Sequence, residues 1–207
     1  MPGGEIRLTI RKLLWLFFST LGWGSLAGLI VGTILISTNN EFVLWEVSSP
    51  GLNVMNVINI ILAGATISVV SQMGFFSYLI FRYIIVGIIR KKRIWEYIQL
   101  ILIAEGILFL THLRYLFFDF PRSSWLEAIT LPVILLVIAI AVSYWKVKMT
   151  KGSAFIPTLL FMFVVTLVEG IPALRLDSPP SYVFMLTPLI VCNAWQILKL
   201  HRIIRTE

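Results

Sequence analysis

The stretch IIVGIIRKKRIWEYIQLILI, residues 84–103, contains the only run of four basic residues in the chain, and apolar sequence lies on both sides of it. Four adjacent positive charges resist transfer across a bilayer, so we expect residues 90–93 to face the cytoplasm. The apolar sequence on each side is long enough for a membrane-spanning helix, which needs about 20 residues. The stretch therefore predicts two membrane helices joined by a cytoplasmic loop.

The composition indicates a membrane protein rather than a soluble one. Of the 207 residues, 58% are hydrophobic and only 13% are charged, whereas a soluble domain is about 25% charged. The net charge of +7 would suggest nucleic-acid binding in a soluble protein. Here most Lys and Arg residues lie in short segments between apolar runs, where membrane topology and anionic lipid headgroups account for them. We therefore expect membrane lipids as partners and no nucleic acid.

Hydropathy predicts an all-α, polytopic protein with about six transmembrane helices in a single integral membrane domain, residues 1–207. The predicted spans are 13–36, 54–89, 94–118, 126–144, 154–174 and 182–200. The second span would be about 54 Å long as one helix, well beyond the 30 Å hydrocarbon core. It is expected either to kink near residues 71–74 or to extend its last turns along the inner membrane surface. The position of Arg82 favours the second alternative.

The distribution of charge predicts the orientation of the spans. Most of the 17 basic residues fall in the segments before span one, between spans two and three, between spans four and five, and after span six. The first loop, 37–53, contains Glu41 and Glu46 but no Lys or Arg. Both termini are therefore expected to be cytoplasmic.

A strip of glycines in the first span, Gly24, Gly28 and Gly32, lies on one helix face. Small residues at this spacing let two helix backbones approach closely in lipid. The alternative is that the glycines are merely tolerated, since glycine is common in membrane helices.

Several polar residues fall inside the predicted spans, where a charged group costs at least about 2.5 kcal/mol, and each should therefore face protein or water. The intramembrane polar set consists of Gln72, Glu105, His112, Arg114 and Glu169. One hypothesis is a proton or ligand path through the glutamine, the two glutamates and the histidine, as in a small transporter or ligand-binding membrane component. The other is contact between helices: a Glu169–Arg114 pair, and a Glu105 that is protonated or bonded to Gln72 or Arg82.

Enzyme signatures are missing from the sequence. It contains no HExxH, GxSxG, P-loop or dinucleotide-binding motif. The two histidines, His112 and His201, fall on opposite sides of the predicted membrane, and the single Cys192 rules out paired-cysteine metal sites. We therefore assign no catalytic, cofactor-binding or metal-binding residue. A membrane enzyme with an unfamiliar set of catalytic residues remains a third hypothesis.

One segment resembles a known family. The sequence SQMGFFSYL, residues 71–79, resembles the core of the KinB-signalling pathway activation protein family, KbaA. Trp95, the run QLILI at 99–103 and LRY at 113–115 resemble the region C-terminal to that core in the family. The resemblance is clearest over residues 68–118, and the length and six-span layout agree with it.

The resemblance implies a regulatory function. Members of the family are membrane proteins of spore-forming Gram-positive bacteria, needed for the sensor histidine kinase KinB to feed the sporulation phosphorelay. The resemblance therefore implies a membrane protein that activates a KinB-like histidine kinase, with that kinase as partner and without catalysis of its own.

The motif itself suggests two uses for its residues Gln72, Gly74, Phe75, Phe76 and Tyr78. The glycine permits close helix approach beside the two phenylalanines, and the glutamine amide must find a hydrogen-bond partner in lipid. The segment is expected either to be a packing hub within the protein or to dock a helix of another membrane protein.

Overall fold

In the computed structural model, the described backbone comprises residues 10–38, 54–89, 91–117, 125–174 and 179–204, and the described side chains are those of 10–38, 54–89, 91–113, 129–172 and 179–203. Every regular element in these ranges is a helix. The α-helices are α1 (Ile10–Thr38), α2 (Val54–Ile88), α3 (Lys92–Phe117), α4 (Trp125–Met149), α5 (Phe155–Leu160), α6 (Thr166–Leu174) and α7 (Pro179–Ile204). A 3₁₀ turn, Gly152–Ala154, precedes α5, and a π-helical turn, Phe161–Val165, joins α5 to α6.

The described residues contain six segments long and apolar enough to cross a membrane, which confirms the all-α fold with six predicted spans. The fifth of them, Gly152–Pro172, combines the 3₁₀ turn, α5, the π turn and most of α6, and is called the fifth span below. The largest difference from prediction is at α4, which continues to Met149 rather than ending at residue 144. Lys146 lies in this extension, where its side chain is buried and its ammonium group donates to the carbonyl oxygen of Ile197 at 2.6 Å.

The long second span is one α-helix of 35 residues. It remains α-helical through Ser71, Gln72 and Gly74, where a kink was one of the two expectations. Beyond Tyr78 most of its side chains are exposed, Tyr83 among them. The last turns of α2 therefore pack little against the other described helices.

The glycine strip of α1 packs directly on α2. A Cβ atom at Gly28 would lie 2.9 Å from the Cα atom of Gly64, and one at Gly24 would lie 2.6 Å from the Cβ atom of Ser68. One at Gly32 would lie 2.7 Å from the Cγ2 atom of Ile60. A Cβ would not fit at any of the three positions without a shift, so the structure supports the interpretation of the strip as a surface for close helix approach.

The fifth span and α7 form the centre of the bundle. Within the most apolar window of each helix, 56% of the fifth span and 50% of α7 are buried, compared with 28% in each of the other four. Phe161, Phe163 and Leu189 are completely inaccessible. Several polar side chains carried by these two central segments are buried as well: Thr158, Thr166, Glu169, Asn193 and Gln196.

Candidate functional site

A hydrogen-bonded network of polar side chains connects α2 to α7 in the interior. The hydroxyl of Ser71 donates to Oδ1 of Asn193 at 2.7 Å. It also accepts a hydrogen bond from Nε2 of Gln196 at 2.6 Å. All three side chains are buried. Asn193 and Gln196 are three residues apart, so one face of α7 presents both amides to the same hydroxyl.

The network continues from α7 to the fifth span through Asn193. Its Nδ2 atom donates to Oε2 of Glu169 at 2.7 Å and to Oγ1 of Thr166 at 2.9 Å. Thr166 and Glu169 are both buried and lie three residues apart on α6. A single amide group therefore links α2, α6 and α7, and Ser71, Thr166, Glu169, Asn193 and Gln196 are called the polar network below.

Gly74 provides the space for the carboxyl group of Glu169. A Cβ atom at residue 74 would occupy the position of Oε1 of Glu169 and would lie 2.6 Å from its Cδ atom. The missing side chain therefore allows α2 and α6 to approach at this level. This contact connects the SQMG segment of the motif to a glutamate almost 100 residues later in the chain.

Aromatic contacts place Phe75 and Tyr78 of the motif against the fifth span. The ring of Phe75 lies 5.6 Å from that of Phe161, in edge-to-face geometry, and the ring of Tyr78 lies 5.0 Å from it. The Tyr78 hydroxyl donates to the carbonyl oxygen of Pro157 at 2.9 Å. Phe161 begins the π-helical turn, and such turns occur frequently at functional sites. The turn sets the rotation of α6 relative to α5 and so aims Thr166 and Glu169 at α7.

Gln72 points toward α1 instead of toward the polar network. Its Nε2 atom donates to the Ser68 hydroxyl at 3.3 Å and to the carbonyl oxygen of Phe17 at 3.4 Å. Gln72 is 4% exposed. Together with the close approach of α1 and α2 at the glycine strip, the bond to Phe17 holds the first two helices against each other.

Three buried oxygen atoms in this region accept no hydrogen bond from the described residues. They are Oε1 of Gln72, Oε1 of Glu169 and Oε1 of Gln196. Buried polar atoms are rarely left without a partner, so these acceptors could receive a proton, a water or a small ligand. Glu169 makes no ion pair within the described part of the chain.

The structure buries some members of the predicted sets and leaves others exposed. Gln72 and Glu169 both lie in the interior, but Gln72 bonds to α1 and Glu169 to α7. Phe75 and Tyr78 are also buried. Glu105 and His112 lie on the exposed side of α3. Phe76 is exposed as well. The predicted Glu169–Arg114 pair falls outside the described side chains.

Sequence reasoning did not include Thr166, Asn193 and Gln196 in the candidate set. A signal for two of them exists, because amide residues spaced three apart in an otherwise apolar helix share one face. Thr166 carries no such signal, since a hydroxyl in a membrane helix commonly bonds to its own backbone. Its role depends on the π turn that immediately precedes it.

The chemistry of the site is that of a structural connection between helices. It combines amides, hydroxyls and one carboxyl group, without a nucleophile paired to a histidine base within the described residues. No group of three or more His, Cys, Asp or Glu side chains there could hold a metal ion. The arrangement can fix the relative positions of α2, α6 and α7, and any displacement of α2 would be transmitted to the other two.

Comparison with known proteins adds a family match over most of the chain. The family model for KbaA, described as KinB-signalling pathway activation in sporulation, matches residues 24–203. A relative from Bacillus subtilis (strain 168), named KinB-signaling pathway activation protein, is 34% identical over 192 residues, which are 92% of this chain and 96% of the relative. No solved structure matches the chain. The matched region contains the whole polar network, Gly74 and α3.

Proposed function

This chain belongs to the KbaA family of KinB-signalling pathway activation proteins, and we propose that it is a multi-pass protein of the cell membrane that activates a KinB-like sensor histidine kinase in the sporulation phosphorelay. The observation that carries the proposal is the extent of the match. The similarity to the Bacillus subtilis relative covers nearly the full length of both chains, so we infer that the two proteins have the same arrangement of helices.

The proposed orientation places both termini and the loop at residues 90–93 in the cytoplasm. Arg11 and Lys12, near the start of α1, line the same pocket as Arg202 near the end of α7. Lys146, near the end of α4, donates to backbone carbonyl oxygens of α7 close to that end. Basic residues from three helices thus gather at one end of the bundle. This supports a common cytoplasmic end, since cytoplasmic segments are enriched in Lys and Arg.

Activation through helix contacts has a thermodynamic requirement. A regulator shifts the kinase toward its active state only by binding that state more tightly than the inactive one. The polar network supports such a role, because it holds α2, α6 and α7 in one arrangement that a partner can recognise. The contacts of Gly74, Phe75 and Tyr78 with the fifth span favour the packing-hub hypothesis for the motif.

A small transporter or ligand-binding membrane component is the second candidate function. The observation that favours it is the group of buried oxygens of Gln72, Glu169 and Gln196 without a partner among the described residues. The path proposed through Glu105 and His112 would have to include the outer side of α3, where both residues are exposed. A substrate flux into vesicles that depends on Glu169 would favour this second function.

Reconstitution of the kinase and this chain in the same lipid vesicles tests the proposal. We expect the rate of kinase autophosphorylation to rise when the full chain is present. We expect the Gly74→Leu variant to lose this effect, because it displaces the Glu169 carboxyl group. The control is Met73→Ala, since Met73 is 66% exposed and lies beside Gly74. Equal rates with and without the wild-type chain would contradict direct activation.

A further inference from the structure

Helix α3 buries one face against the bundle. Gln99, Ile103 and Leu110 are buried on this face. Gly106 lies there as well, and a Cβ at that position would be 3.1 Å from the Phe163 ring. These four residues recur at three- and four-residue intervals, which is the spacing of one helix side. The inward side of α3 is therefore already occupied.

The opposite face of α3 is called the outer face below. It is exposed and carries Tyr97, Ile101, Ala104, Glu105, Leu108 and His112. Most of it is apolar, as expected for a surface facing lipid or another membrane helix. Glu105 and His112 are the exceptions, and neither has a hydrogen-bond or ion-pair partner among the described residues.

Glu105 lies near the middle of its span. It is 13 residues after Lys92, or about 20 Å along the helix, and the span Lys92–Leu113 contains 22 residues. His112 lies on the same face, about 10 Å farther along. A carboxyl group at mid-bilayer depth is costly when it faces lipid, and intramembrane ionisable residues almost always face protein or a water-filled cavity. Because Glu105 lies on the exposed side of α3 among apolar residues, we expect another protein to cover the outer face at that depth.

A second copy of the chain fits this position poorly. A two-fold axis along the membrane normal would place Glu105 of both copies at the same depth. Two carboxyl groups would then face each other and could pair only when at least one carries a proton, since ionised carboxylates repel and donate no hydrogen bond. Lipid tails offer no donor either. The complementary occupant is a helix that carries a donor group at mid-depth.

We propose that the outer face of α3 docks a transmembrane helix of the partner kinase, and that a basic or amide side chain on that helix donates a hydrogen bond to Glu105 at mid-bilayer depth. The inference rests on the proposed function, because it assumes a kinase partner, and it names the surface that function would use. Ala104 contributes by having only a methyl side chain, which permits close approach of a second helix. The hydrogen bond to Glu105 thereby favours a partner helix that carries such a donor, and it fixes the depth of that donor in the bilayer.

Photocrosslinking from the full chain in native membranes tests the docking face. A photoreactive phenylalanine derivative replaces Leu108 on the outer face or, as a matched control, Ile30, which is exposed on α1. We expect Leu108 to crosslink to a kinase transmembrane peptide that contains Lys, Arg, His, Asn or Gln, and Ile30 to give no such product. A crosslink from Leu108 to a second copy, to lipid alone, or to a kinase helix without such a residue would overturn the inference.

Substitution of Glu105 separates this inference from the proposed function. Glu105→Leu removes the acceptor without touching the packed face, and we expect the Leu108 crosslink to fall about tenfold, the effect of losing one hydrogen bond of moderate strength. Glu105→Gln retains an acceptor oxygen and should keep most of the yield. If the wild-type chain and Glu105→Leu activate the kinase equally in vesicles, the docking face is wrong and the proposed function stands. If the wild-type chain gives no activation, the proposed function itself fails.

Discussion

The carboxyl group of Glu169 on α6 lies against Gly74 on α2, in the space that a side chain at residue 74 would fill. This relationship gives the glycine of the SQMGFF segment a physical role. It also joins the segment to the polar network, because the other carboxyl oxygen of Glu169 accepts a hydrogen bond from Asn193. The motif and the interior of the bundle therefore form one connected structure.

The first prediction concerns that contact. Gly74→Ala places a methyl group where the Glu169 carboxyl group lies, and overpacking of this kind costs about 1–3 kcal/mol. We expect a lower midpoint of thermal unfolding in detergent. Gly87→Ala is the matched control, because Gly87 lies on the same helix with nothing within 4 Å of its Cβ position. Equal stability of the two variants would show that Gly74 and Glu169 do not touch.

A second substitution identifies the carboxyl group as the obstacle. Glu169→Ala removes the atoms that a methyl group at residue 74 would meet. Combined with Gly74→Ala, it should destabilise the protein by less than the sum of the two single effects, as expected for residues in contact. Strict additivity would contradict the direct contact.

The third prediction concerns Asn193, which connects three helices. Asn193→Ala removes the acceptor of Ser71 and the donor to Glu169 and Thr166, and each buried group left unpaired costs about 1–3 kcal/mol. A double-mutant cycle with Ser71→Ala measures the shared part by thermal unfolding. We expect a coupling of about 0.5–3 kcal/mol, whereas zero coupling would exclude the Ser71–Asn193 hydrogen bond.

The fourth prediction concerns the packing of α1 on α2. Gly28→Leu introduces a side chain where Gly64 is in contact, so the two helices must separate and the unfolding midpoint should fall. Gly22→Leu, on the same helix with nothing within 4 Å of its Cβ position, should leave the midpoint nearly unchanged. A similar loss in both variants would indicate a general intolerance of α1 and would contradict the specific packing of the glycine strip.

The fifth prediction concerns orientation. In a Cys192→Ser background, single cysteines at Ser49 and Ser178 should react with an impermeant thiol reagent in whole cells. A cysteine at Ser153, in the turn before α5, should remain unlabelled, because Lys146 and Lys151 predict a cytoplasmic location for this end. Labelling at Ser153 in intact cells would contradict the proposed six-span topology.

Hydropathy was sufficient to predict the six helices, because a bilayer requires long apolar segments whatever the tertiary contacts are. The helix face formed by the glycine strip of α1 could likewise be predicted, since the spacing of the glycines alone defines it. The sequence could not show which helices touch, because packing partners in a membrane depend on shape and not on apolar character. For that reason Gln72 was grouped with Glu105, although its bonds are to Ser68 and the backbone of Phe17.

The polar network was the part least accessible from sequence. Glu169 could be recognised as unusual within an apolar run, and Asn193 and Gln196 as two amides on one helix face, but the contact between Glu169 and Asn193 could not be predicted. The π turn at Phe161–Val165 changes the rotation of everything after it, and five apolar residues in a row give no sign of such a turn. The contact of Gly74 with Glu169 depends on that rotation, and so does the bond from Asn193 to Thr166.

The most direct test of the central claim is sporulation frequency in the host bacterium, measured in strains lacking this chain, the partner kinase, or both. If the chain acts through the kinase, deleting the chain should lower sporulation as much as deleting the kinase does, and the double deletion should lower it no further. A constitutively active kinase should restore sporulation in the absence of the chain. Normal kinase-dependent sporulation in the strain without the chain would contradict the account.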